Sequence, residues 1–384
     1  QLGIQPGVDA GCVHSDAVFE LLRQVSGYHS RSGRVAYTEI SACARVLLGY
    51  NLRPLMVDQT GNRPMRATAI AQPNIALIKY WGKRDVARNL PAVGSISITL
   101  SELRTQMSVD LDTDLSGDVL YVNGDEEPHF LSRISACLNN VLGEQRSFAR
   151  INSHSNFPIA AGLASSASAF SAVTMAAAGA AGLSLSTREL ARFAGRASGS
   201  AARSLYGGFV ELKNDGDTIE LVSLTDAESW PLQVVVAITD TGSKAIGSTE
   251  AMEISRKTSP FYNDWVLRQA SDLDTARTAI EQRDFAGLAA IAEHNCLKMH
   301  SIMWASRPPI VYWKSATMRC LQTVRRLQGE GCSVFFTIDA GPQVKAVCLP
   351  EDTEVVREAL LATPGVMQVM TSGLGAGARL VKET

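Results

Sequence analysis

From residue 66 onward, short apolar runs separated by turn residues alternate with longer segments in which apolar positions recur at helical spacing. The period-two runs predict strands over 66–70, 75–79, 96–100, 106–111 and 119–122, with turns at 114–117 and at Asn123-Gly124. Helical spacing predicts helices over 130–142 and 187–197, the second started by Ser186 or Thr187 with Glu189 in its first turn. The polar segment 153–157 reads as a turn, and the Ala-rich run from it to Gly182 is long enough for a helix. A strand over 209–212 follows, then a near-continuous apolar strand over 232–239 and a polar loop over 240–250. Helices are predicted over 264–281, 285–301 and 313–328. The chain then finishes in strands 334–338 and 344–348, helix 354–361 and strand 366–371, a βαβ-like ending. Residues 15–25 and 39–48 also carry helical spacing.

Within that pattern, the run from Pro158 through Ala160, Ala161, Gly162, Leu163 and Ala164 to Ser165, Ser166 and Ser168 has the composition of a phosphate cradle opening a helix. Gly162 permits close backbone approach to an anion. Ser165 and Ser166 put hydroxyls and N–H groups at a helix N-terminus, where the macrodipole favours negative charge. No Walker sequence is present at this run. The plain alternative is a Gly/Ala-rich turn packed closely on a neighbour.

Three further segments carry candidate chemistry. The strand-like run from Asn74 ends in Lys79, Tyr80, Trp81, Lys83 and Arg84, which can hold a polyanion or be a solvated basic turn. Ser198, Gly199 and Ser200 offer hydroxyls and N–H groups, and Arg203 adds a planar fork suited to carboxylate or phosphate; a capped helix with a surface Arg is the alternative. The β-rich run 334–338 delivers Asp339 to a Gly-Pro turn, either as an aimed carboxylate or as an ordinary turn residue.

The 384 residues and 46% hydrophobic content suffice for a sizeable core and two domains. A formal charge of −2 argues against a general nucleic-acid binder, so basic residues act locally. Seven scattered cysteines show no metal spacing, and Cys320 and Cys332 read as reduced core residues. The Ala-rich helix reads as an interior helix rather than a membrane span, so a cytoplasmic protein is expected. The first 64 residues lack a secretory apolar region and read as an extension dispensable for catalysis.

Together the four segments resemble the decarboxylase branch of the GHMP small-molecule kinases, the diphosphomevalonate decarboxylase family, from about Met65 to the C-terminus. The narrow part of the likeness is Lys-Tyr-Trp-Gly-Lys with Ser-Gly-Ser-Ala-Ala-Arg-Ser and Asp-Ala-Gly-Pro. The resemblance implies an α+β protein of GHMP-kinase fold, with a ribosomal-S5-like ATP-binding domain over 65–240 and a ferredoxin-like domain over 241–384. It implies ATP and Mg2+ as cofactors and a homodimer. It also implies Asp339 as general base, Lys79 as a cation for the transferring phosphoryl group, and Arg203 as the fork for a substrate carboxylate. Ala76, Tyr80, Lys83, Ser198, Gly199, Ser200 and Ser248 become substrate contacts, and Ser165 the magnesium-side hydroxyl. Departures from the family pattern are Ala92-Val93-Gly94 after Leu90-Pro91, Gln343 in place of Asn, and Glu250 in the 240–250 loop. A carboxylate beside a diphosphate is unfavourable, so Glu250 keeps a 5-monophosphate substrate in view. A kinase without decarboxylation is the more distant reading.

Overall fold

The computed structural model describes residues 65–157, 164–216, 218–242 and 244–381. The extension over 1–64 with its two expected helices, and the cradle residues Pro158, Ala160, Ala161, Gly162 and Leu163, lie outside the described residues.

A six-stranded sheet runs in the order β16-β1-β6-β9-β7-β8. Its members are β1 (Arg66–Ala71), β6 (Thr105–Asp112), β7 (Val119–Val122), β8 (Asp125–Glu126), β9 (Phe148–Ser155) and β16 (Arg379–Leu380). β9 replaces the turn expected over 153–157. It alternates strictly, with Ala149, Ile151 and Ser153 inward, but a Ser at an inward position and Phe148 at an exposed one hide the period. Helices α1 (Pro128–Leu142), α2 (Ser165–Ala180) and α3 (Thr187–Ala197) accompany this sheet. Small residues let α2 lie closely on β1 and β6, and Phe170, Val173 and Ala177 join Met107, Val109 and Ile151 in one core. α3 starts in a capping box, Ser186 with Glu189, as its sequence predicted.

A second sheet has the order β11-β10-β5-β2, built from β2 (Asn74–Ile78), β5 (Ser95–Thr99), β10 (Phe209–Asp215) and β11 (Thr218–Thr225). β3 (Lys83–Asp85) and β4 (Leu90–Pro91) form a small ribbon at its edge. Every residue of β2 and β5 is buried: β2 is apolar after Asn74, whereas β5 alternates Ile with Ser and Thr and buries the hydroxyl face as well.

The third sheet, β13-β14-β12-β15, is antiparallel throughout. It comprises β12 (Gln233–Ile238), β13 (Val334–Thr337), β14 (Val344–Cys348) and β15 (Gln368–Gly373). β12 lies before the expected 240/241 divide, yet its sheet partners are β14 and β15. Helix α8 (Thr353–Leu361) links β14 to β15, and β12 lies between these two strands, giving the ferredoxin-like order. Between β12 and β13 run α4 (Ser248–Thr258), α5 (Tyr262–Gln282), α6 (Phe285–Trp304) and α7 (Ser315–Gly329). The loop expected over 240–250 therefore ends early, because Gly247 starts α4. Five described cysteines are free thiols, with Cys320 buried and Cys332 half-buried.

Candidate active site

The candidate catalytic groups converge where β2 and β13 end. β2 slips register against β5 between Ala76 and Ile78, and an irregular ladder frees backbone groups for other partners. The Ala76 carbonyl accepts Lys79 Nζ (2.9 Å) and Thr337 Oγ1 (3.2 Å). Lys79 Nζ also meets Asp339 Oδ1 at 2.7 Å, and Lys345 Nζ, from β14, meets Oδ2 at 3.2 Å. Both lysines are 1% exposed, whereas Asp339 keeps 26% of its side chain accessible at the cavity. Burial alone would raise the Asp339 carboxyl, but Lys345 and Lys79 overcome it and hold the group well below the usual carboxylate range. Burial pushes the Lys345 ammonium down, with Asp339 opposing.

Arg203 lies in the 3-10 turn Ala201–Leu205 and is 2% exposed. Its Nη1 donates to Ser95 Oγ (2.7 Å) and its Nε to Asn74 Oδ1 (3.3 Å), while Asn74 Nδ2 donates to the Ser200 carbonyl (2.9 Å) and Ser204 Oγ (2.7 Å). Burial pushes the guanidinium down to about 10. The group sits 5.9 Å from the Tyr80 ring centre. Burial raises the Tyr80 phenol to about 12, and its Oη has no hydrogen-bond partner among the described residues. A Cβ on Gly199 would lie 2.5 Å from that oxygen, so Gly199 is the residue that lets Tyr80 reach the site.

Lys79, Asp339, Arg203 and Tyr80 line a cavity of about 660 Å3, together with Ala76, Lys83, Ser198, Gly199, Ser200 and Ser248. Lys83 Nζ donates to Thr249 Oγ1 (3.3 Å), and burial lowers its ammonium. A second cavity of about 460 Å3, floored by Met107, Leu120, Ile134 and Phe170, opens beside the α2 N-terminus and includes Ser165. Ala164 is left-handed (φ 55°) and turns the chain into α2. Ala164, Ser166, Arg133, Lys244, Gly247 and Ser248 line both cavities. Among the described residues no group of three or more His, Cys, Asp or Glu side chains could hold a metal. A hydroxyl at a helix end fits a magnesium ion carried by nucleotide phosphates rather than by a protein cage.

Two readings change. Ser168 lines neither cavity; it faces β6, bonded to Thr105 Oγ1 (2.8 Å) and the Ser165 carbonyl (3.2 Å). Glu250 is exposed in the first turn of α4 and does not line the cavity, so solvent screens its repulsion of a diphosphate. Gln343, the departure from Asn, is a buried link, accepting the Thr239 N–H (2.6 Å) and donating to the Asp240 carbonyl. Sequence reasoning missed Lys345, Lys244 and Arg133. The signal for Lys345 was a lone lysine inside the apolar run Val-Lys-Ala-Val-Cys.

His300, fully buried on α6, has its Nε2 3.2 Å from the Ile338 carbonyl and 3.3 Å from the Trp313 Nε1–H, and burial pushes its pKa down to about 3. The unfolded chain therefore binds a proton that the folded chain refuses as pH falls below ~6.5. Stability is expected to fall by up to about 1.4 kcal/mol per pH unit from this group between the two values. Thermal melts of His300→Gln should show a flatter loss between pH 6.5 and 5 than the parent.

Two family models match the chain: the diphosphomevalonate decarboxylase-like N-terminal domain over residues 71–223, and the mevalonate 5-diphosphate decarboxylase C-terminal domain over 234–372. The diphosphomevalonate decarboxylase of Saccharomyces cerevisiae is 34% identical over 313 residues, covering 74% of this chain and 78% of the relative. Among solved structures, the mevalonate diphosphate decarboxylase of Staphylococcus aureus superposes with a TM-score of 0.78 at 34% identity, over 83% of this chain and 98% of that one. A structure described as MDDEF in complex with MVAPP, AMPPCP and magnesium has a TM-score of 0.78 at 33% identity, over 83% of this chain and 99% of that one. With both domain models matched in order and the same architecture found in the solved relatives, the chain belongs to the diphosphomevalonate decarboxylase family.

Proposed function

We propose that the protein catalyses ATP-dependent decarboxylation of mevalonate 5-diphosphate, releasing isopentenyl diphosphate, ADP, phosphate and CO2. The observation that carries this reading is the convergence of the Lys79–Asp339 pair and Arg203 on one cavity that meets a second cavity at the α2 N-terminus. In this reading the ATP γ-phosphoryl moves to the tertiary C3 hydroxyl. The C3–O bond then breaks with loss of phosphate as the C1–C2 bond releases CO2, and its electrons form the alkene.

Asp339 is ionised and fixed by two lysines, so it is a weak base. Such a carboxylate suits a loose phosphoryl transfer, in which it orients the hydroxyl and takes its proton as the new P–O bond forms. Lys79 places positive charge beside the transferring group. Arg203 holds the C1 carboxylate in its fork. Tyr80, Lys83, the Ser198–Ser200 turn, Ser248 and Lys244 serve the diphosphate end. The α2 N-terminus, with Ser165 and Ser166, takes the triphosphate, and Ser165 would hold Mg2+, which supplies charge neutralisation on the β- and γ-phosphates when bound.

Ser165→Ala is expected to raise the KM for ATP several-fold with little change in melting temperature. A variant that unfolds instead would show that Ser165 packs rather than binds.

In our reading the enzyme is a cytoplasmic homodimer that engages neither nucleic acid nor membrane. The near-neutral charge argues against a general nucleic-acid binder, and no helix among the described residues is long and apolar enough to cross a membrane; the homodimer rests on the family likeness alone. The test of function is ADP and CO2 release from mevalonate, its 5-phosphate and its 5-diphosphate in parallel. Efficient CO2 release from the 5-diphosphate is the expected result. Preference for the 5-phosphate, or ADP release without CO2, overturns it.

A further inference from the structure

Helix α6 grips both halves of the Lys79–Asp339 pair from behind. β2 ends at Ile78, so the Lys79 backbone has left the sheet ladder. Side chains take over: Asn295 Oδ1 on α6 accepts the Lys79 N–H (2.7 Å), and Gln269 Nε2 on α5 donates to the Lys79 carbonyl (2.8 Å). On the same helix, Cys296 Sγ accepts the Ile338 N–H (3.2 Å), and His300 Nε2 lies within hydrogen-bond distance of the Ile338 carbonyl (3.2 Å). Ile338 is the residue immediately before Asp339. Asn295 is itself locked, its Nδ2 donating to Gln269 Oε1 (2.9 Å) and to Asp272 Oδ2 (2.6 Å), and Lys298 Nζ holds that carboxylate at 2.7 Å. Asn295, Cys296 and His300 are 0% exposed, so water cannot replace any of these partners.

We propose that Asn295 is a positioning residue: it ties the Lys79 backbone to the helix that also holds Ile338, so that α6 sets where Lys79 Nζ stands relative to Asp339. Asn295 lines neither cavity. It acts on the phosphoryl-transfer step through Lys79, and a displacement of about 1 Å at such a group is enough to cost about a hundredfold in rate. Substrate and nucleotide still bind, because their other donors do not depend on this tether.

The inference rests on the decarboxylase reading, and the experiment separates the two. Parent activity on mevalonate 5-diphosphate tests the reading. The ratio of variant to parent tests the tether, and hydrogen exchange at the Lys79 amide reports it without any substrate. For Asn295→Leu the expected result is a kcat lower by roughly 10–100-fold, with both KM values within about threefold of the parent. The Lys79 amide should exchange at least about tenfold faster while the β5 amides stay protected. If Asn295→Leu does not fold, the same measurements on Asn295→Ser decide, since a serine hydroxyl is too short to reach the Lys79 N–H. A kcat within threefold of the parent in the folded variant overturns the inference, as does unchanged Lys79 exchange.

Discussion

Asp339→Asn is expected to lower ATP-dependent CO2 release by roughly 10²–10⁴-fold while nucleotide affinity stays within about threefold. The amide keeps the shape of the carboxylate but cannot take the hydroxyl proton, and it removes the counter-charge of Lys79 and Lys345. Those two ammonium groups, each 1% exposed, then face a neutral side chain. Loss of the carboxylate from such a cluster is expected to destabilise the protein by about 3–5 kcal/mol, much of it the cost of cations left unpaired. The sign of the pH response follows. Burial already pushes the Lys345 ammonium down, and the variant removes the carboxylate that opposes this, so the unfolded chain binds more protons and stability rises with pH. Melting temperatures between pH 7 and 10 should therefore climb for Asp339→Asn relative to the parent. Near-parent turnover would remove Asp339 from the chemistry.

Arg203→Lys is expected to cost roughly 10²-fold or more in kcat/KM for the diphosphate substrate, despite the retained charge. A lysine cannot reach Ser95 Oγ and Asn74 Oδ1 together, so at least one buried acceptor loses its donor. It also cannot present a second parallel N–H pair to a carboxylate. Burial already pushes the arginine down to about 10. An ammonium starts from a lower value, so part of the lysine population would be neutral in the same site. Steady-state kinetics with each substrate varied in turn checks this. A lysine variant within threefold of the parent would reduce Arg203 to a point charge.

The residues that sequence alone revealed stand at places where a strong local pattern breaks. Lys79 and Asp339 each follow an apolar strand run, and Arg203 follows a Ser-Gly-Ser turn, so their positions could be read from their neighbours. What those residues touch could not. Lys79 and Asp339 are 260 positions apart, and the Asn295 contact to Lys79 spans 216. Lys345 looked like an interruption in a core strand because its counter-ion arrives from the preceding hairpin strand's end. β9 escaped because its inward Ser153 and outward Phe148 invert the expected polarity, and α4 because its first turn, Ser-Thr-Glu, has a loop's composition. Glu250 shows the limit of reading charge by proximity in sequence, since one residue separates a cavity wall at Thr249 from open solvent.

The return of β16 to the edge of β1 has a mechanical consequence. The chain passes from the first sheets to the third after β11 and comes back after β15, where Gly375 is stitched to Thr99 and Gly208 and the Val381 N–H to the Thr68 carbonyl. The parts so joined also share one hydrophobic core, in which Ile75, Leu77 and Ile98 pack with Val234, Phe335 and Val347. Two covalent crossings and a common core both oppose separation of the strand ends that carry Lys79 and Asp339, so the spacing of that pair is built in when the chain folds, like two pages sewn into one binding.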